Sequence, residues 1–127
     1  ALYCLWARRL AEGGTFDDAV AAVRPLLARD EHVELARFVE PFHPTGSGYV
    51  LDSFHSVRVA MRNPTYEAVV RTAVAFGNDT DTTACIAGGL AGLIHGEAGI
   101  PTRWRGALRG RDLLDPLLDA LCAHRAA

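Results

Sequence analysis

Apolar residues recur at helical spacing along almost all of this chain, and nowhere do they alternate as a half-buried strand would require. Leu2, Leu5, Trp6 and Leu10 share one face, Arg8 and Arg9 lie on another, and Gly13-Gly14 forms a stop. Thr15 and Asp18 have capping-box spacing, with aspartate in the place of glutamate. They predict a second helix that turns Phe16, Ala19, Val20, Val23, Leu26 and Leu27 inward, with Pro25 expected to kink or end it. A third amphipathic segment, short but periodic, is predicted over 33–39 through Leu35, Phe38 and Val39.

Residues 41–48, Pro-Phe-His-Pro-Thr-Gly-Ser-Gly, read as a loop whose shape the prolines and glycines dictate. Beyond it, Val50, Phe54, Val57 and Met61 mark one helical face, and Asn63-Pro64-Thr65 punctuates. A helix over 66–76 follows, with Val69, Val70, Ala73 and Val74 apolar, and then an apolar run at 84–95 too poor in charge to be anything but buried. Pro101 suits the first position of a short helix carrying Trp104 and Leu108, ended by Gly110. A last helix over 112–123 uses Leu113, Leu114, Leu117, Leu118 and Leu121, with Pro116 expected in its first turn. The fold class is all-α, with no internal repeat and no low-complexity tract.

The 127 residues suit one domain, and 50% hydrophobic content argues for a folded core. A formal charge of −2 gives no support for nucleic acid or an anionic membrane as partner. The apolar run at 84–95 is far shorter than the roughly 20 residues that span a bilayer. Cys4, Cys85 and Cys122 are widely spaced, with no Cys-x-x-Cys, so zinc is not expected and reduced thiols in a cytoplasm are. The chain opens at Ala1, without methionine or a secretory leader, one residue before a helical pattern; it is expected to be a piece of something longer.

Candidate chemistry concentrates in Gly77-Asn78-Asp79-Thr80-Asp81-Thr82-Thr83. Hard divalent cations take oxygen ligands in octahedral geometry, usually one or two carboxylates with water and substrate. A helix N-terminus adds free N–H groups and partial positive charge. The helix behind this turn has Ala84, Gly88, Gly92 and Gly96 four residues apart, beside Ala87, Gly89 and Ala91. Each helical glycine costs about 1 kcal/mol against alanine, and close backbone approach by neighbouring helices is the expected return.

Gly-Asn-Asp-Thr-Asp-Thr-Thr-Ala, followed by Ile86-Ala87-Gly88-Gly89-Leu90-Ala91-Gly92 and His95-Gly96, resembles the C-terminal metal motif of the ADP-ribosylglycohydrolases. Within that family it looks most like the branch that removes ADP-ribose from an arginine of nitrogenase reductase. The resemblance implies an orthogonal helical bundle, of which 1–127 would be the C-terminal part of a single domain whose N-terminal part is absent. It implies that Asp79, Asp81 and Thr82 supply oxygens to a pair of Mg²⁺ or Mn²⁺ ions, with Asn78 where many relatives have a second glycine. It further implies that Ser47, Gly48 and Tyr49 touch bound ADP-ribose. The partner would be an ADP-ribosylated protein or an ADP-ribose-containing small molecule, and the reaction hydrolysis of the glycosidic bond to the acceptor.

In relatives the remaining ligands come from an early acidic residue and a Thr/Ser-Asp-Asp run. The nearest thing here is Asp17-Asp18, preceded by Phe16 at the start of a surface helix, which is no substitute. Catalytic acid and base residues therefore go unassigned, and the isolated chain is expected to be inactive unless self-association or a partner chain completes the site. The alternative is a non-catalytic ADP-ribose-binding or structural module on the same scaffold. Elsewhere His43 reads as a loop histidine, His95 as a core histidine, Cys85 as packing, and the Arg103, Arg105, Arg109, Arg111 cluster as a solvated face. Ser53, His55 and Ser56 suggest no triad, since neighbours on one helix point apart.

Overall fold

A computed structural model describes residues 2–27 and 42–126, and the 33–39 segment lies outside them. The described residues form seven α-helices, one 3₁₀ turn and no strand, so the chain is all-α. The first two helices, α1 (Leu2–Ala11) and α2 (Phe16–Leu27), form a hairpin turned by Gly13 at φ +86°. The capping box is made as its spacing predicts. Thr15 N–H donates to Asp18 Oδ2 at 3.0 Å, and Asp18 N–H donates back to Thr15 Oγ1 at 3.1 Å. Pro25 lies inside α2, which is described as far as Leu27. Trp6, fully buried, stands edge-on to Phe16 at 5.4 Å and tilted against Phe54 at 5.1 Å, which ties the hairpin to α3 (Val50–Ala60).

Next come α4 (Tyr66–Ala75) and α5 (Thr80–His95), joined by the candidate turn. Thr65 caps α4 by accepting from Ala68 N–H at 3.2 Å. Helix α5 is central, with α1, α3 and α4 packed against it and Ala87, Leu90 and Ala91 fully buried. Its burial is one-sided, however. Cys85, Gly89, Leu93 and Ile94 are exposed, so charge-poor composition overstated it, and Cys85 is a surface thiol. His95 is only half-buried, at the helix end.

The small residues also work differently from expectation. Two of them admit tyrosine hydroxyls rather than a neighbouring backbone: a Cβ on Gly88 would meet Tyr66 Oη at 3.2 Å, and one on Gly89 would meet Tyr3 Oη at 2.6 Å. A Cβ on Gly92 would meet nothing within 4 Å. Gly96, at φ +62°, ends the helix.

After the 3₁₀ turn Glu97–Gly99 come α6 (Thr102–Ala107) and α7 (Arg111–Ala126). Pro101 precedes α6 rather than opening it, and Pro116 lies in the second turn of α7. Three of the four arginines form ion pairs on this face: Arg103 with Glu67, Arg105 with Glu97 at 2.7 Å, and Arg111 with Asp115 at 3.2 Å. Val74 and the five leucines of α7 are exposed. Among the described residues no helix is long and apolar enough to cross a membrane.

Candidate active-site turn

Two backbone segments far apart in sequence build the candidate site. The 76–79 turn reverses the chain between α4 and α5 by placing Gly77 at φ +75° and Asn78 at φ +53°. Left-handed backbone suits glycine and, among other residues, asparagine, so Asn78 serves where a second glycine would. Asp79 then caps α5. Its Oδ1 accepts from Thr82 N–H at 3.4 Å, and its carbonyl accepts from Thr83 Oγ1 at 3.0 Å. Thr83, fully buried, pins the first turn to the core.

The 45–48 loop lies against this turn. Asp79 N–H donates to Gly46 O at 2.9 Å, and Asn78 Nδ2 donates to Thr45 O at 3.0 Å. Gly46 has no alternative residue here: it sits at φ +76°, and a Cβ would meet Phe76 Cβ at 2.5 Å and Gly77 O at 2.9 Å. Gly48 is bare for a different reason, because a Cβ on it would run into Asp79 Oδ2. The two glycines therefore let the loop reach the carboxylate.

The side chains named from sequence fall into two groups. Asp79, Asp81 and Thr82 share the cap and first turn of α5, where Thr82 N–H donates to the Asp79 carboxyl at 3.4 Å. Thr82 and then Asp81 hold that carboxyl below its ordinary range, against slight desolvation and with help from Thr82 N–H. Gly48 joins this group through its contact with Asp79 Oδ2, and Ser47, half-buried, is its chain neighbour. Tyr49 stands apart, 63% exposed, where its ring is free to lie on a ligand. His43 is exposed, and Asp18 is occupied in capping α2.

The residue types suit a hard divalent cation: two carboxylates and a hydroxyl, all oxygen, at a helix N-terminus. Adjacent carboxylates repel when both are ionised, and a cation between them removes that cost. The set is short, however. Among the described residues no group of three or more His, Cys, Asp or Glu converges on one point, so a cation here must draw other ligands from water or substrate.

Sequence reasoning missed the residues that hold the loop. Asp52, buried in the first turn of α3, accepts from Thr45 N–H at 2.8 Å, Thr45 Oγ1 at 3.2 Å and Ser47 N–H at 2.5 Å. Ser53 Oγ donates to Ser47 O at 3.0 Å and Tyr49 O at 3.2 Å. The available signal was an acidic residue in a helix's first turn directly after a Gly-Ser-Gly loop. His55 is also buried, with its ring stacked on Phe42 at 4.7 Å.

The zebrafish (Danio rerio) protein named ADP-ribosylhydrolase ARH3 is 41% identical over 51 residues, which is 40% of this chain and 14% of that protein. The chain thus matches a small part of the length of this curated relative. No solved structure matches significantly. The family description that matches, over residues 1–127, is ADP-ribosylglycohydrolase, and the chain belongs to that family.

Proposed function

We propose that this chain supplies the metal-binding turn and part of the ADP-ribose-binding surface of a hydrolase acting on the glycosidic bond between ADP-ribose and an acceptor. The acceptor we favour is a protein side chain such as arginine, as in the nitrogenase reductase branch whose motif the 77–96 stretch resembles. The observation that carries the reading is the placement of Asp79, Asp81 and Thr82 together at the cap and first turn of α5, with Gly48 pressed against Asp79.

In this reading Asp79, Asp81 and Thr82 hold Mg²⁺ or Mn²⁺, and the family resemblance suggests two ions. When bound, such a cation would polarise the ribose oxygens and make a coordinated water more acidic. The chain's own part is placement. Asp79 and Asp81 fix one edge of the site, while the 46–48 backbone comes close enough to bound ADP-ribose for Ser47 to hydrogen-bond. Exposed Tyr49 offers a ring face to the ligand. Two carboxylates alone leave a hard cation mostly hydrated, so affinity in the 127-residue chain should be weak and turnover absent. That same shortage favours the second reading, a non-catalytic ADP-ribose-binding module.

The test uses the protein that carries this chain, an ADP-ribosylated arginine substrate and Mn²⁺. Release of ADP-ribose, reduced to background by Asp81→Ala, is the expected result. Release that Asp81→Ala leaves at its full rate removes Asp81 from the metal site. Binding of ADP-ribose without any release selects the non-catalytic module.

A further inference from the structure

We propose that Asp52 is a positioning residue for the candidate site: through the 45–47 backbone it sets where Gly46 and Gly48 stand against Asp79. Its carboxylate uses both oxygens. Oδ1 takes Thr45 N–H at 2.8 Å, and Oδ2 takes Ser47 N–H at 2.5 Å and Thr45 Oγ1 at 3.2 Å. A charged group that is 3% exposed is tolerated only when donors surround it, and among the described residues every donor here belongs to the loop and none to α3 itself. Burial pushes the carboxyl up, but the loop N–H and hydroxyl groups outweigh this and hold it below its ordinary range.

The clamp passes directly to the site. Gly46 lies between the two clamped residues, and its carbonyl receives Asp79 N–H at 2.9 Å. Thr45, clamped twice, also receives Asn78 Nδ2 through its carbonyl at 3.0 Å. On the other side Gly46 is stopped by Phe76 and Gly77 O, so the loop has one seat and Asp52 holds it there. A first-turn acid acting only on its own helix would stabilise α3 and leave Asp79 unaffected. Asp52 instead links the start of α3 to the cap of α5.

The functional consequence rests on the proposed role of Asp79, so the experiment reads positioning and metal binding separately. Asp52→Asn keeps the shape but turns an NH₂ toward one of the two loop N–H groups. Amide hydrogen exchange at Thr45, Ser47 and Asp79 should quicken about tenfold or more, because a hydrogen bond to a charged group is lost at each step of local opening. Exchange in α1 and α2 should not change. Mn²⁺ titration should show affinity weakened to a similar degree.

Faster exchange at Thr45 and Ser47 with Asp79 unmoved would overturn the proposal. Faster exchange at all three in a chain that binds no Mn²⁺ would uphold the positioning and reject the metal reading. If Asp52→Asn unfolds the chain, Thr45→Val decides, since it removes only the 3.2 Å hydroxyl bond. A smaller quickening at Asp79 is then expected, and none would overturn the proposal.

Discussion

Helices α5 and α7 are each sixteen residues long, and their compositions suggest the wrong roles for them. The leucine-rich one, α7, exposes Leu113, Leu114, Leu117, Leu118 and Leu121, with Leu113 at 73% and Leu117 at 69%. The glycine-rich one, α5, buries Thr83, Ala87, Gly88, Leu90 and Ala91 among three other helices and carries the candidate site at its start. Large side chains make a helix sticky, but small ones let neighbours close on it. In α5 closeness won: Tyr66 and Tyr3 reach over Gly88 and Gly89, and α4 packs along it.

The contrast can be broken in several ways. The largest effect is expected from Leu90→Ala, which removes a fully buried side chain and should cost about 2–5 kcal/mol in urea unfolding. A cost below 1 kcal/mol would mean that α5 is not the packing centre. Gly48→Ala comes next, because its Cβ has nowhere to go but into Asp79 Oδ2. It should displace that carboxylate and cost up to about 1 kcal/mol through the weakened α5 cap, since only the end of the Asp79 side chain must shift, with Mn²⁺ binding lost while α1 and α2 stay intact by circular dichroism and amide exchange.

Gly92→Ala has the opposite sign. Its Cβ meets open space and the position is helical, so the change should stabilise by about 0.5–1 kcal/mol. A loss instead would show that α5 needs bare backbone there. Leu117→Ala, on the exposed face of α7, should stay within about 0.5 kcal/mol of the parent.

A pH series sharpens the same comparison at the site. Asp52 has its folded carboxyl held below the ordinary range. The stability it contributes is therefore fully present above about pH 4–5 and is lost as pH falls through the lower, folded value. Urea midpoints for the wild type should fall on acidification over that range. Asp52→Asn should flatten that dependence, and an unchanged profile would remove Asp52 from the account.

Local spacing made part of this legible. Thr15 and Asp18 bond as their three-residue separation requires, and the run from Asp79 to Thr82 opens a helix as its residue types require. Partners far apart in sequence left no such trace. Asn78 reaches Thr45 across 33 positions, so nothing near either residue announces the bond. The apolar pattern did not single out Asp52, because the loop it clamps precedes its helix rather than belonging to it. The α3 pattern of Val50, Phe54, Val57 and Met61 was half right: Val57 and Met61 are buried, while Val50 is exposed and Asp52, Ser53, His55 and Ser56 are inside. Periodicity counts apolar positions and misses Asp52 and Ser53, polar residues that are buried because the 45–49 loop satisfies them. Helix α7 shows the converse: its leucine stripe announced an amphipathic helix, and an apolar stripe does not say whether another element covers it.

The most direct test of the central claim is residue-resolved paramagnetic broadening of the amide resonances on titration with Mn²⁺. Broadening is expected to centre on residues 79–83, to extend across to 46–49, and to be abolished by Asp81→Asn. Broadening centred elsewhere on the chain, or the same pattern in Asp81→Asn, would contradict it.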